Sequence, residues 1–225
     1  MRLATSALVV FTTAGALCAQ TDTQKRLDAA ATVFAEVMAI SDKAIPQSLL
    51  DRAQCIVVVP GLKKGAFIVS AKYGKGFLSC RKKSGTGWTA PGSIRVEGGG
   101  VGLQIGGSET DVILIVMNER GAQRLLSSKF TLGGDASVAA GPVGRTATAQ
   151  TDAYMTAEIL SWSRSRGLFA GVALTGATLR QDLDDNKELY GRAVENKEIV
   201  DKELTPPKAA EPLLSLFNKY SARKG

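Results

Sequence analysis

The stretch EGGGVGLQIGGSETD, Glu97 to Asp111, holds six glycines in fifteen positions and runs directly into the apolar segment VILIVM. Its reading decides the fold, because a glycine cluster of this density either cradles a phosphate or shapes a sheet. The spacing Gly100-x-Gly102-x-x-x-Gly106 misses the dinucleotide fingerprint by one residue, and no Gly-Lys-Ser/Thr follows. A phosphate loop also needs a helix N-terminus behind it, whose exposed N–H groups and dipole do the binding. Here Val101, Leu103 and Ile105 alternate between the glycines and lead toward another apolar run. Alternation of period two marks a strand, and glycine within a strand permits a bulge, a sharp coil or close backbone approach. The segment is therefore read as sheet.

Working outward, SIRVEGGGVGLQIGG and DVILIVMN read as two strands separated by Ser108-Glu109. Upstream, CIVVVP is a short apolar strand ending at Pro60, and AFIVSAKYG and GFLSCRKK flank Gly74-Lys75-Gly76 as a hairpin. Downstream, DASVAAGPVGR, TATAQTDAYMTAEILSWSRS and GLFAGVALTGATL supply more strand-like material. Helices bracket this region. Over Thr21–Ser41, the residues Leu27, Ala30, Ala31, Phe34, Val37, Met38 and Ser41 fall on one face. Pro46 suits the first turn of PQSLLDRAQ, Asn118 can cap ERGAQRLLSS, and Asp184 or Asp185 can cap LDDNKELYGRAVEN. After a proline linker, Leu213, Leu214, Leu216, Phe217 and Tyr220 outline a short amphipathic helix. The expected fold class is α+β: a central antiparallel β core (curved sheet, sandwich or barrel-like) flanked by N- and C-terminal helices.

The chain has 225 residues, 44% of them hydrophobic and 22% charged, which suits one packed domain. It has no histidine, which removes the commonest general base near neutral pH and most zinc ligand sets. No cofactor, metal site or catalytic residue is expected. Arg2 followed by LATSALVVFTTAGAL and Leu17-Cys18-Ala19 has the form of a signal peptide over residues 1–19, with the mature chain starting near Gln20. Export to a periplasmic or extracellular site is the corresponding expectation. It leaves Cys55 and Cys80 in an oxidising compartment, at the ends of neighbouring strands, as candidates for a disulfide.

Charge patterning supplies the candidate site. Lys and Arg total 28 against 21 Asp and Glu. No acidic residue lies between Asp51 and Glu97, an interval carrying Arg52, Lys63, Lys64, Lys72, Lys75, Arg81, Lys82, Lys83 and Arg95. Of these Lys63, Lys64, Lys75, Arg81, Lys82 and Lys83 are assigned to turns and strand ends, where a basic surface would meet anionic lipid headgroups. No helix-turn-helix or RNP-like aromatic pattern accompanies the charge, so nucleic acid is not the expected partner. DLDDNKELYG opens like a calcium loop, but Lys187 replaces the required glycine and Ala193 the bidentate glutamate. Glu97, Glu109, Asp111, Asp135, Asp152 and Glu158 are carboxylates of the type that glycosidases pair, with no spacing that marks a pair.

Several stretches together carry a resemblance. IPQSLLDRAQCIVVVPGLKKGAF, Trp88 with Pro91, GGGVGLQIGGSETDVILIVMN, LGGDASVAAGPVGR, SWSRSRGLFAGVALTGATL and NKELYG resemble the SYLF domain family in order, from about Ile45 to Gly191. The family is also known as the Ysc84-like or DUF500 family. The resemblance implies a non-catalytic domain that binds phospholipid, with actin binding in some fungal members and an amphipathic helix ahead of the core. Thr21–Ser41 corresponds to that helix, but its alanine-rich face with Asp28 and Glu36 suits packing on the core better than insertion into a bilayer. The expected organisation is a helix over 20–44, a SYLF-like domain over 45–200, and a linker with a short helix over 201–225. The function expected is docking on an anionic phospholipid membrane surface; the alternative is an envelope scaffold with protein partners and no lipid requirement.

Overall fold

The structure, a computed structural model, describes residues 20–40, 44–66, 69–101, 106–141, 157–165, 168–170, 174 and 176–221. The signal-like segment with Cys18, and much of the strand material expected over 142–156, lie outside the described residues.

Helix α1 (Asp22–Ala39) starts at Thr21, whose hydroxyl accepts from the Gln24 N–H while the Gln24 side chain caps the Thr21 N–H. Helix α2 (Gln47–Arg52) leads into four long strands, β1 (Cys55–Ala66), β2 (Val69–Cys80), β3 (Gly92–Val101) and β4 (Gly106–Val116). Next come α3 (Glu119–Leu125), capped by the Asn118 side chain, and the short strands β5 (Lys129–Thr131) and β6 (Val138–Ala140). Strands β7 (Ile159–Ser165), β8 (Leu168–Ala170) and β9 (Thr178–Gln181) complete the sheet. The chain closes with α4 (Leu183–Tyr190), α5 (Asn196–Asp201) and α6 (Glu211–Tyr220). No helix among the described residues is long and apolar enough to cross a membrane.

The strands form one curled sheet in the order β5-β9-β3-β2-β1-β4-β7-β6, with β8 also on β7. All pairings are antiparallel except β6 with β7. The fold is α+β, as the sequence indicates. The glycine-rich stretch links β3 to β4, which do not pair: β3 lies outside β2 and β4 outside β1.

Alternation divides the sheet into two apolar faces. Ile56, Val58, Phe77, Ile113, Ile115 and Trp162 face the helices, where Leu27, Phe34, Val37, Leu213 and Phe217 meet them. The Phe34 and Phe217 rings pack edge-on at 4.9 Å, so the first and last helices share one core. The alternate residues, Val57, Val59, Leu78, Ile94, Val96, Val112 and Leu114, fill the concave side with Phe130, Leu132 and Leu179. Full burial of each such side chain contributes about 1.5–3 kcal/mol.

Four local expectations are corrected. Pro60 does not end β1: the strand continues to Ala66 through a bulge, with register shifts between Val59 and Leu62 against β4 and between Val58 and Lys63 against β2. A bulge spares proline its missing donor, and Gly61 beside it takes φ +62 and gives its N–H to Asp111 Oδ1 at 3.0 Å. Gly74-Lys75-Gly76 is not a hairpin but the middle of β2, where a Cβ on Gly76 would lie 2.2 Å from the Val58 carbonyl oxygen. These glycines serve close approach, not chain reversal. Ser108-Glu109 is not a turn; both residues lie inside β4, opposite Lys64 and Lys63. The cap of α4 is Asp182, which accepts from the Asp185 N–H, and the helix stops at Gly191 (φ +72), so residues up to Asn196 do not continue it.

Candidate functional site

The bulge at Pro60-Gly61 sets the direction of the next lysines. Before it, Val57 and Val59 face the concave side; after it, Leu62 does, and the phase of β1 has shifted by one residue. Lys63 is therefore on the helix-side face, exposed, opposite Tyr73 on β2 and Glu109 on β4. Lys64 is on the concave face, directly opposite Lys72. Both Lys64 and Lys72 are half-buried, and neither forms an ion pair with a carboxylate among the described residues. Burial first, and then the charge of Lys64, hold the Lys72 ammonium below its ordinary value.

The other sequence-assigned cations are placed differently. Lys75 lies mid-strand, with its ammonium 2.8 Å from Asp182 and 2.9 Å from Asp185. Arg26 joins the same cluster, 2.5 Å from Asp185. Burial works against the charge on Lys75, yet the two carboxylates outweigh it and raise its pKa. Arg81 is a clamp: its guanidinium donates to the carbonyls of Ala53, Ser221 and Leu50 at 3.2, 2.6 and 2.9 Å and stacks 4.1 Å from the Trp88 ring. Lys82 and Lys83 follow it at the far end of β2, beside an open cavity of about 630 Å³ that Gln54, Glu119, Lys197 and Asp201 also line. Lys72 and Cys80 are eight positions apart on one strand, about 27 Å. The six assigned residues thus divide between two ends of the sheet, with half-buried Lys75 and Arg81 tied into ion pairs and carbonyl bonds. Lys72, not among the six, completes the pair at the β1–β2 end. Strand alternation could have found it, had the bulge been read into β1.

The remaining candidates are tied up structurally. Glu97 lies 3.0 Å from Arg95 and 3.4 Å from Arg180, and Glu158 lies 3.0 Å from Arg124. Arg164 holds both Asp111, at 2.8 Å, and Glu36. Asp152 lies outside the described residues. Asp182, which opens the calcium-like sequence, caps α4 and pairs with Lys75, and Asp185 pairs with Lys75 and Arg26; no group of three metal-ligating side chains occurs among the described residues. Cys55 and Cys80 stand opposite one another across β1 and β2, bonded with S–S 2.01 Å. The apolar face of α1 is spent on the sheet and α6, which leaves none of it for a bilayer in this conformation.

A family model described as Las17-binding protein actin regulator, Ysc84, matches residues 97–220, more than half of the chain. The chain belongs to the Ysc84, or SYLF, family. Protein YSC84 of Saccharomyces cerevisiae is 35% identical over 180 residues, 79% of this chain and 38% of that protein. LAS seventeen-binding protein 3 of the same species is 37% identical over 181 residues, 79% of this chain and 39% of its own length. SH3 domain-containing YSC84-like protein 1 of Rattus norvegicus is 31% identical over 183 residues, 81% of this chain and 53% of that protein. This SYLF chain thus spans about two-fifths to one-half of the relatives it matches. The family and LAS seventeen-binding protein 3 are described by binding and regulation, not by a reaction.

Proposed function

We propose that this SYLF domain is a non-catalytic phospholipid-binding module that docks on anionic membrane surface after export to the cell envelope or beyond. The observation that carries the reading is the group of lysines without ion-pair partners among the described residues: Lys63, Lys64 and Lys72 at one end of the sheet, Lys82 and Lys83 at the other. Cations near an anionic leaflet contribute about 1 kcal/mol each. The carboxylates around Lys75 and the carbonyls around Arg81 occupy these two cations with structural work instead of docking.

Co-sedimentation with phosphatidylcholine vesicles, with and without anionic lipid, tests the proposal. Binding should require the anionic lipid and weaken as salt shortens the screening length from about 10 Å at 0.1 M to about 3 Å at 1 M. Binding indifferent to lipid charge would overturn the electrostatic mechanism. A second reading, a protein-interaction module with no lipid requirement, draws on relatives named for LAS seventeen binding and for SH3 domains. It gains if the domain retains an envelope protein partner in detergent-washed, lipid-free extract and ignores every vesicle.

A further inference from the structure

The concave face of the β1–β2 end has an unusual cross-strand row. Reading across β3, β2, β1 and β4, Gly98 pairs with Lys72, Lys72 with Lys64, and Lys64 with Ser108. Two lysines therefore stand directly opposite, close enough for the Lys64 charge to act on Lys72, flanked by a glycine and a serine, with no carboxylate in the row. Like charges directly opposite on one sheet face repel, and folding alone gives no reason to place them together. The next row inward is Val96, Gly74, Leu62 and Thr110, and beyond it lies the apolar concave core. The row outward is Gly100, Ser70, Ala66 and Gly106. The lysines thus mark the boundary between an apolar interior and a rim of small residues.

We propose that Lys64 and Lys72 form a binding site for a phosphomonoester, with the Ser108 hydroxyl as a flanking donor. A phosphomonoester carries about −1.5 to −2 charges at neutral pH, which matches two ammonium groups, and offers three acceptor oxygens. A phosphodiester carries a single charge and leaves one lysine uncompensated. The lowered proton affinity of Lys72 agrees with a site whose counter-charge arrives with the ligand. The bulge at Pro60-Gly61 belongs to this device, since it turns Lys64 onto the face of Lys72. The lipid form of the proposal rests on the docking function above; the pair itself could also take a soluble phosphate ester.

The test uses the chain from Gln20 onward with three probes: vesicles containing phosphatidic acid, vesicles containing phosphatidylglycerol at matched surface charge, and glycerol 3-phosphate in solution. The variants are Lys64→Gln, Lys72→Gln, Lys72→Arg and, as a control, Lys208→Gln at an exposed position in the turn before α6. The expected result is a preference for phosphatidic acid that falls at least tenfold in Lys64→Gln and Lys72→Gln, is recovered in Lys72→Arg, and survives in Lys208→Gln. Melting temperatures of the glutamine variants should equal or exceed that of the wild type, so that lost binding is not lost folding. Vesicle binding that ignores both the phosphomonoester and these two lysines overturns the site and leaves lipid docking standing. Lys72-dependent binding of glycerol 3-phosphate with no vesicle binding upholds the site with a soluble source and overturns lipid docking. Binding of none of the three probes overturns both.

Discussion

Arg81 and Lys82 are neighbours in sequence, with opposite fates. The Arg81 fork satisfies three carbonyls from α2, the segment after it and the C-terminal end, and lies over Trp88, whose indole N–H in turn donates to Ser221 Oγ at 3.0 Å. A lysine cannot reach three carbonyls from one point. Arg81→Lys should therefore lower stability by about 2–4 kcal/mol, read by urea denaturation, because hydrogen bonds from a charged group contribute about 1.5–3 kcal/mol each and only some would survive. Lipid binding by the folded fraction should not change. Gly76 is the same kind of case without charge. A methyl there would meet the Val58 carbonyl oxygen at 2.2 Å and the Val59 Cα at 2.8 Å, so Gly76→Ala should cost about 1–3 kcal/mol through overpacking. Neither role can be read from composition, since a lone Arg after a strand and a lone Gly within one look the same whether they anchor or merely turn the chain.

At the scale of elements, periodicity made α1 and α6 legible, because their buried residues recur at helical spacing, and the Asn118 cap made α3 so; Thr21, read from sequence as part of the helix, is its cap. The sheet was legible as a sheet, but its turns were not. Proline and glycine within β1 and β2 mimic chain ends in sequence, whereas here they serve a bulge and tight inter-strand packing. The candidate site suffered for the same reason: Lys63 and Lys64 look equivalent until the bulge assigns them to opposite faces. The cluster joining α1, β2 and α4 was invisible, since Arg26, Lys75, Asp182 and Asp185 are far apart in sequence. Burial opposes the Asp182 charge, but Lys75 and the helix N–H prevail and depress its pKa. A carboxylate with a depressed folded pKa stabilises fully above its unfolded value, about 4, and loses that contribution as pH falls through the folded value. Urea midpoints measured from pH 7 to pH 2 should thus fall below about pH 4 in the wild type. Asp182→Asn keeps the helix cap and should flatten that acid limb.

For the whole molecule, the bond between Cys55 and Cys80 ties the start of β1 to the end of β2, positions separated by 25 residues. Chain-entropy reasoning puts the cost of its reduction at about 3.5 kcal/mol, measurable as a lowered urea midpoint in dithiothreitol. The intact mass of the oxidised protein should be two hydrogens below that of the reduced chain. That bond and Arg81 tie one end of the curled sheet to α2 and to Ser221. The other end carries the end of β3, the start of β4, and Lys63, Lys64 and Lys72, which lack carboxylate ion-pair partners among the described residues. The glycine stretch is strand on both sides, to Val101 and from Gly106, while the alternating Leu103 and Ile105 lie outside the described residues; Gly98 stands beside Lys72 in the row proposed to meet phosphate. The most direct test of the central claim is co-sedimentation of the chain from Gln20 onward with vesicles of graded anionic lipid content. The account predicts binding that rises with anionic lipid and weakens by roughly 30-fold when Lys64 and Lys72 are both changed to glutamine, at about 1 kcal/mol per lysine. Equal binding to neutral and anionic vesicles, or a double variant that binds as the wild type does, would contradict it.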